Sequence, residues 1–359
     1  MKKVYLFAAL AVAGGACSAP ARSPAPVPVA GAAACVRDVD SAAAVVRHDY
    51  AGFADKARGK EGALAALTDS VRADARAAAD AEACTAALRR WAGFFGDRHM
   101  SVLASAPAPR PAAPGPPDPP EGPSVRYPDD STAVLRLPDF GQRHKPAIDS
   151  VVAEHRARIL ARPYLVVDVR GNGGGWTESY ASVLPLLYTG PIRVPGISVW
   201  ASAGNTEYLR GMSTSPNLPE AIRTRMAALV PAMEATRGGF VPIDADREIR
   251  FDTVHPLPRA VAVLVDRRCA SSCEQFALDV RQSRKVLLLG AENTRGMLDY
   301  GNLRTVALPS GERRIQFPVA RSHRLPAEPL DATGVAPAVR VPAGADAVEF
   351  ARRYLAGAR

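Results

Sequence analysis

Three short apolar runs punctuate the chain: Tyr164-Leu165-Val166-Val167, Val261-Ala262-Val263-Leu264-Val265 and Val286-Leu287-Leu288-Leu289. Runs of about four to eight such residues, closed by turn formers, predict strands buried on both faces. They belong to a longer alternation. Strands are predicted over residues 132–137, 164–169, 260–265 and 286–289, and helices over 146–159, 180–187 and 274–284. Strands alternating with helices imply an α/β core of packed layers.

From Cys35 to about Phe95 the period changes. Val45, Val46, Leu64, Leu67, Val71, Leu88 and Trp91 recur at helical spacings among many alanines, which predicts a small helical domain. A further helix is predicted over 217–237, with Pro219 in its first turn and an apolar stripe of Ile222, Met226, Leu229 and Met233. Pro231 lies inside it and is expected to kink it. Packing helix and lid over a cleft are both open readings of that stripe.

Residues 106–124 carry nine prolines with Gly115 and Gly122, and read as a stiff extended linker. At the other end, Lys2 and Lys3 precede thirteen apolar residues, 4–16, too few to span a bilayer and patterned as a signal peptide. Gly14-Gly15-Ala16-Cys17 is similar to a bacterial lipoprotein cleavage site, with Gly14 where an aliphatic residue is usual, so Cys17 is the lipidation candidate. The expected organisation is a signal peptide (1–17), a tether (18–34), a helical domain (35–104), a linker (105–124) and an α/β core (125–355).

At 359 residues, 47% hydrophobic and 23% charged, the chain has the make-up of a globular protein. Its net charge of +9 is carried almost wholly by arginine, without the aromatic-interleaved basic blocks of a nucleic-acid surface, and no nucleic-acid partner is expected. Export makes the four remaining cysteines, Cys35, Cys84, Cys269 and Cys273, disulfide candidates. Proximity pairs Cys35 with Cys84 and Cys269 with Cys273; the sequence leaves three connectivities open. No histidine stands at ligand spacing from either pair, and neither metal nor organic cofactor is implied.

The chemistry gathers at two loops. After the strand at 164–169 comes Arg170-Gly171-Asn172-Gly173-Gly174-Gly175-Trp176, four glycines in five positions. Adjacent amides free of side chains form nests for an anion or an oxyanion. The second loop, Cys269-Ala270-Ser271-Ser272-Cys273-Glu274, opens the helix over 274–284. Ser271 there meets free amides and the positive end of the helix dipole, which suits a nucleophile. Ser271-x-x-Glu274 is equally a capping box, in which the serine only caps.

The order of motifs is more specific. Phe95-Gly96-Asp97-Arg98-His99, Asp168 to Gly175, Ala270 to Glu274, Thr294-Arg295-Gly296 and Gly334-Val335-Ala336-Pro337 together resemble the C-terminal processing (tail-specific) serine peptidases. The branch resembled is the histidine-using, tricorn-type one, without a PDZ module. Ala338 stands where that family usually closes with aspartate. The resemblance implies a crotonase/ClpP-like layered core with a mixed sheet, an exported serine endopeptidase of the cell envelope or periplasm, and a peptide or protein substrate.

It also implies roles. Ser271 falls at the nucleophile, and Ser272 with Gly173, Gly174 or Gly175 at the oxyanion hole. Met297 occupies the place of the dyad lysine, and the nearest lysine, Lys285, lies before the following strand. His99 matches the histidine of the other branch instead. The third member is an acid shortly before Gly334: Asp331 first, Glu328 second. Asp97 is read as orienting the His99 loop or as a turn residue. The remaining histidines are assigned surface or structural places. The alternative is a catalytically inactive binding lipoprotein of the envelope that keeps the peptidase fold.

Overall fold

The computed structural model describes residues 30–105 and 122–357. The signal peptide with Cys17, most of the tether and nearly all of the Pro-rich linker lie outside them. Helices α1 (Ala30–Asp49), α2 (Phe53–Ala57), α3 (Glu61–Ala77) and α4 (Ala81–Gly93) come first, followed by strand β1 (Ser101–Ala104). Strands β2 (Ser124–Arg126) and β3 (Thr132–Arg136), helix α5 (Lys145–Leu160), strand β4 (Tyr164–Asp168) and short helix α6 (Leu184–Leu187) follow. An excursion adds β5 (Ile192–Val194), β6 (Ile197–Trp200), α7 (Ala203–Thr214), α8 (Glu220–Ala235), β7 (Phe240–Asp244) and β8 (Arg247–Ile249). The chain closes with β9 (Ala260–Leu264), α9 (Ser272–Val280), β10 (Val286–Gly290), β11 (Tyr300–Ala307), β12 (Arg313–Ser322), β13 (Val339–Arg340) and α10 (Ala347–Gly357).

The protein is a mixed α/β fold. Its first sheet has the order β13-β10-β9-β4-β3-β2, parallel except for the β2–β3 pair. The apolar runs are its central strands. Leu165 and Val167 enter one core with Val263 and Phe276, whereas Val166 enters another with Leu264, Ala351 and Leu355 of α10. Side chains alternate between faces along a strand, so a run without polar residues fits a sheet covered on both sides. Each such side chain withdrawn from water contributes about 1.5–3 kcal/mol.

A second sheet has the path β1-β12-β6-β7, with β11 also paired to β12. Helices α1 to α4 lie against it: Val46, Leu88 and Trp91 share a core with Val199, Phe317 and Val319. The helical segment and this sheet thus bury their apolar faces on each other. The Cys35–Cys84 bridge joins α1 to α4.

Several boundaries differ from the sequence reading. Helix α1 starts at Ala30, inside the expected tether. The single helix expected over 180–187 is a 3-10 turn at Thr177–Tyr180 and then α6, because Pro185 has no N–H to continue the ladder. Helix α9 begins earlier and ends at Val280, with Arg281 capping it. Helix α8 runs on through Pro231.

Candidate active site

Strands β4 and β9 are parallel neighbours, with Asp168 paired to Leu264. Their carboxyl ends therefore release the glycine loop and the serine loop side by side, the edge at which α/β sheets bind ligands. Asn172, fully buried, ties the two together. Its side chain donates to Leu137 O at 3.0 Å and accepts the Gly174 N–H at 2.9 Å, while its carbonyl accepts the Ala270 N–H at 3.2 Å. From the other side, Asp266 accepts the Gly171 N–H at 3.0 Å.

Ser271 sits at φ 54°, one of two non-glycine residues with positive φ among the described residues. That conformation is costly for a residue with a Cβ and persists only when its surroundings impose it. Glu274 imposes it. Wholly buried, it accepts the Ser271 N–H at 3.1 Å and the Met297 N–H at 2.7 Å on Oε2. On Oε1 it accepts the Thr294 hydroxyl and the Gly296 N–H, each at 2.6 Å. The capping box is present, but its glutamate also locks the serine loop to the 294–297 segment. The Cys269–Cys273 bridge brackets the same serine.

The glycines divide the work. Gly174, at φ +98°, lies so close that an added Cβ would stand 2.5 Å from Ala270 O and 2.9 Å from Ser271 Cβ. Its own N–H is engaged by Asn172. Gly175 lines the cleft of about 480 Å3 that also holds His99, Ser271 and Ser272. The amides of Gly173, Gly175 and Ser272 donate no hydrogen bond to the described residues.

His99 is buried in a loop held from both sides. Asp97 accepts the Tyr50 hydroxyl at 2.7 Å and the His99 backbone N–H at 2.9 Å. Arg98 donates to the carbonyls of Arg295, Gly296 and Asp331. Burial lowers the His99 pKa below the ordinary imidazole value, against the charges of Asp97 and Glu274. Its ring is thus neutral at pH 7 and free to accept a proton.

The acids are placed unequally. Asp97 Oδ1 is 3.9 Å from His99 Nδ1, within 4 Å of the ring where no other described carboxylate lies. Asp331 is buried; its Oδ1 accepts the Leu298 and Asp299 N–H groups and its Oδ2 faces Lys56 Nζ at 3.5 Å. Burial first, then the charges of Asp299 and Asp97, push its pKa up to about 6. Glu328 is exposed and lines a neighbouring cavity instead.

The sequence model of peptidase family S41 matches residues 131–341, more than half of the chain. The chain belongs to peptidase family S41. Among solved structures, mature CPAF complexed with lactacystin aligns at TM-score 0.62 and 11% identity, covering 91% of this chain and 98% of that one. A protein assigned as a peptidase from Parabacteroides merdae ATCC 43184 aligns at 0.59 and 15%, covering 89% and 96%. A lipoprotein from Streptococcus agalactiae aligns at 0.51 and 11%, covering 92% and 98%. At these identities the likeness is one of fold. No curated protein matches.

Within this S41 fold, one constellation escapes a reading by sequence. Ser198 Oγ lies 2.7 Å from His323 Nε2, and His323 Nδ1 lies 2.7 Å from Asp246 Oδ1. Ser198 occupies a strand whose neighbours Ile197 and Val199 line the cleft, so its hydroxyl faces away from it. The relay ties β6 to the turn after β7. Asn172 and Glu274 were likewise missed as organisers; a buried asparagine within a glycine loop was the available signal for the first.

Proposed function

We propose that this S41 protein is an exported serine endopeptidase that cleaves peptide bonds with Ser271, His99 and Asp331. The reading is carried by one observation above the rest: Ser271, held at positive φ at the start of α9, opens onto the same cleft as His99. Ser271 Oγ attacks the substrate carbonyl carbon as His99 takes its proton. The oxyanion is held by free amides, those of Ser272 and of Gly175 or Gly173; Gly174 instead shapes the loop. Collapse breaks the C–N bond, the amine leaves with the His99 proton, and water repeats the sequence on the acyl-enzyme.

Asp331 is preferred over Asp97 as the acid that orients the imidazole. Both Asp97 oxygens already accept hydrogen bonds. Asp331 Oδ2 and His99 Nδ1 are buried without a hydrogen-bond partner. Such bonds often tighten only with substrate in place. Exposed Glu328 is set aside.

Two disulfides suit an oxidising compartment outside the cytosol. No helix among the described residues is long and apolar enough to cross a membrane. Cys17 is the proposed site of a lipid anchor. The competing binding-lipoprotein reading draws on the bridge that brackets Ser271.

Fluorophosphonate labelling separates the readings. The unaltered protein is expected to label, Ser271→Ala and His99→Ala not at all, and Ser198→Ala as well as the parent. A folded parent that fails to label, with its disulfides intact or reduced, overturns the peptidase reading in favour of binding.

A further inference from the structure

Beside the Ser271 cleft lies a second cavity of about 580 Å3. The two share Val194, Pro195, Arg247 and Gln275 as walls, so they adjoin one another. Four arginines line the second cavity: Arg193, Arg247, Arg281 and Arg324. Its acids are largely engaged. Glu248 pairs with Arg250 at 2.5 Å and lies 3.6 Å from Arg193, while Asp246 accepts from His323 and from the Gly196 N–H. Arg247 and Arg281 have no carboxylate within 4 Å among the described residues, and the exposed Glu328 is the one acid of the cavity left without a partner.

Arg324 differs from the other three. It is 94% buried, donates through NH2 to Leu298 O at 2.7 Å, and lies 3.5 Å from Asp299. Its Nε has no hydrogen-bond partner. That Nε is itself closed to solvent, and the charges of Asp299, Asp331 and Glu274 already oppose the guanidinium, so Arg324 backs the cavity wall and the open donors are those of the unpaired Arg247 and Arg281. Guanidinium forks match carboxylates in particular.

From these placements we infer that the cavity is a subsite for a carboxylate of the bound peptide, received by Arg247 and Arg281, with the buried Arg324 in the same wall. The inference rests on the proposed peptidase reading for its place in catalysis. Gln275 follows Ser271 by one helical turn, donates its N–H to Ser271 O at 3.0 Å and lines both cavities, so the subsite adjoins the serine. The carboxylate belongs to a residue near the scissile bond, as an Asp or Glu side chain or as the chain end.

The test is binding by the Ser271→Ala protein to immobilised alanine-based peptides, each carrying one Glu or Gln. One arm compares internal Glu with internal Gln, both with amidated ends; the other compares a free with an amidated C-terminus, both with Gln. In at least one arm the peptide carrying the carboxylate is expected to be retained about tenfold over its amide counterpart, about 1.4 kcal/mol. That preference should vanish in the Ser271→Ala protein that also carries Arg247→Gln and Arg281→Gln. Both arginines are exposed, so folding is expected to survive, which circular dichroism checks. Preference confined to the free-ended arm assigns the subsite to the chain end.

Equal retention of carboxylate and amide in both arms, or a preference untouched by the arginine changes, overturns the inference. Fluorophosphonate labelling of the unaltered protein, run alongside, reports on the peptidase reading separately. A carboxylate preference without labelling removes catalysis and leaves the subsite standing.

Discussion

Glu274 Oε2 accepts the Ser271 N–H at 3.1 Å, and through the same carboxylate the serine loop is fastened to Thr294, Gly296 and Met297. The backbone conformation of Ser271, the proposed nucleophile, depends on a residue that lines no part of the cleft. Replacing Glu274 with alanine strands four donors, each costing about 1–3 kcal/mol when buried and unmet. A loss of at least about 3 kcal/mol is expected in chemical denaturation. Glu274→Gln should be nearly as damaging, because its amide presents N–H groups to N–H donors. A midpoint like the parent's in either variant would sink this account.

Under the proposed mechanism, the pH dependence of hydrolysis follows from two groups. His99 must be neutral to take the serine proton, and burial already holds its pKa below the ordinary value. Asp331 must be ionised to orient it, and its pKa stands at about 6. Turnover should fall below about pH 6, with a two-proton slope if both groups are needed. Asp331→Asn is expected to lower turnover roughly 10³- to 10⁴-fold and leave a one-proton acid limb. Asp97→Asn, made in parallel, should mainly cost stability. The reverse pattern would transfer the orienting role to Asp97.

The two disulfides should differ in what they hold. Cys35–Cys84 closes 49 residues and Cys269–Cys273 only 4. Loop-closure entropy assigns about 4 kcal/mol to the first and about 2 to the second. Cys35→Ser with Cys84→Ser should therefore lower the denaturation midpoint more. Cys269→Ser with Cys273→Ser should instead show most in serine labelling, which reads the loop around Ser271 directly.

Asp279 offers a stability test remote from the serine. It is buried in α9, accepts the Tyr180 hydroxyl at 2.8 Å and the Gln275 amide at 2.7 Å, and burial raises its pKa from 3.8 to about 6. The folded state thus holds a proton that the unfolded chain has released between about pH 4 and 6. Stability from this group is present at low pH and lost as pH rises through 6. At about 1.4 kcal/mol per tenfold in proton affinity, the loss approaches roughly 3 kcal/mol. Asp279→Asn cannot titrate, so its stability relative to the parent should climb between pH 4 and 7. Thermal denaturation across that range decides; a constant difference refutes it.

The strands of the first sheet were legible because their pattern is local: Val166 and Val167 face opposite cores, and both demand apolar residues. The second sheet was not. Strands β11 and β12 alternate buried and exposed positions irregularly, and their inner faces are completed by α1 to α4, more than 200 residues away in sequence. Periodicity cannot report a partner so distant. Pro185 was visible, but its breaking of one helix into two pieces was missed.

The residue types of the site came from the sequence alone: a serine opening a helix, a glycine run after a strand, a histidine in a separate motif. Their identities follow from local needs, a positive φ, a free amide, a capping carboxylate. Which carboxylate approaches His99, which glycine amide stays free, and that arginines from four separate segments converge beside Gln275 were decided only by the tertiary structure. The first two are contacts across only two residues that no periodicity reports, and the third joins residues far apart in the chain. They are fixed by the parallel pairing of β4 with β9 and by the packing of the helices, not by any property of the residues taken singly.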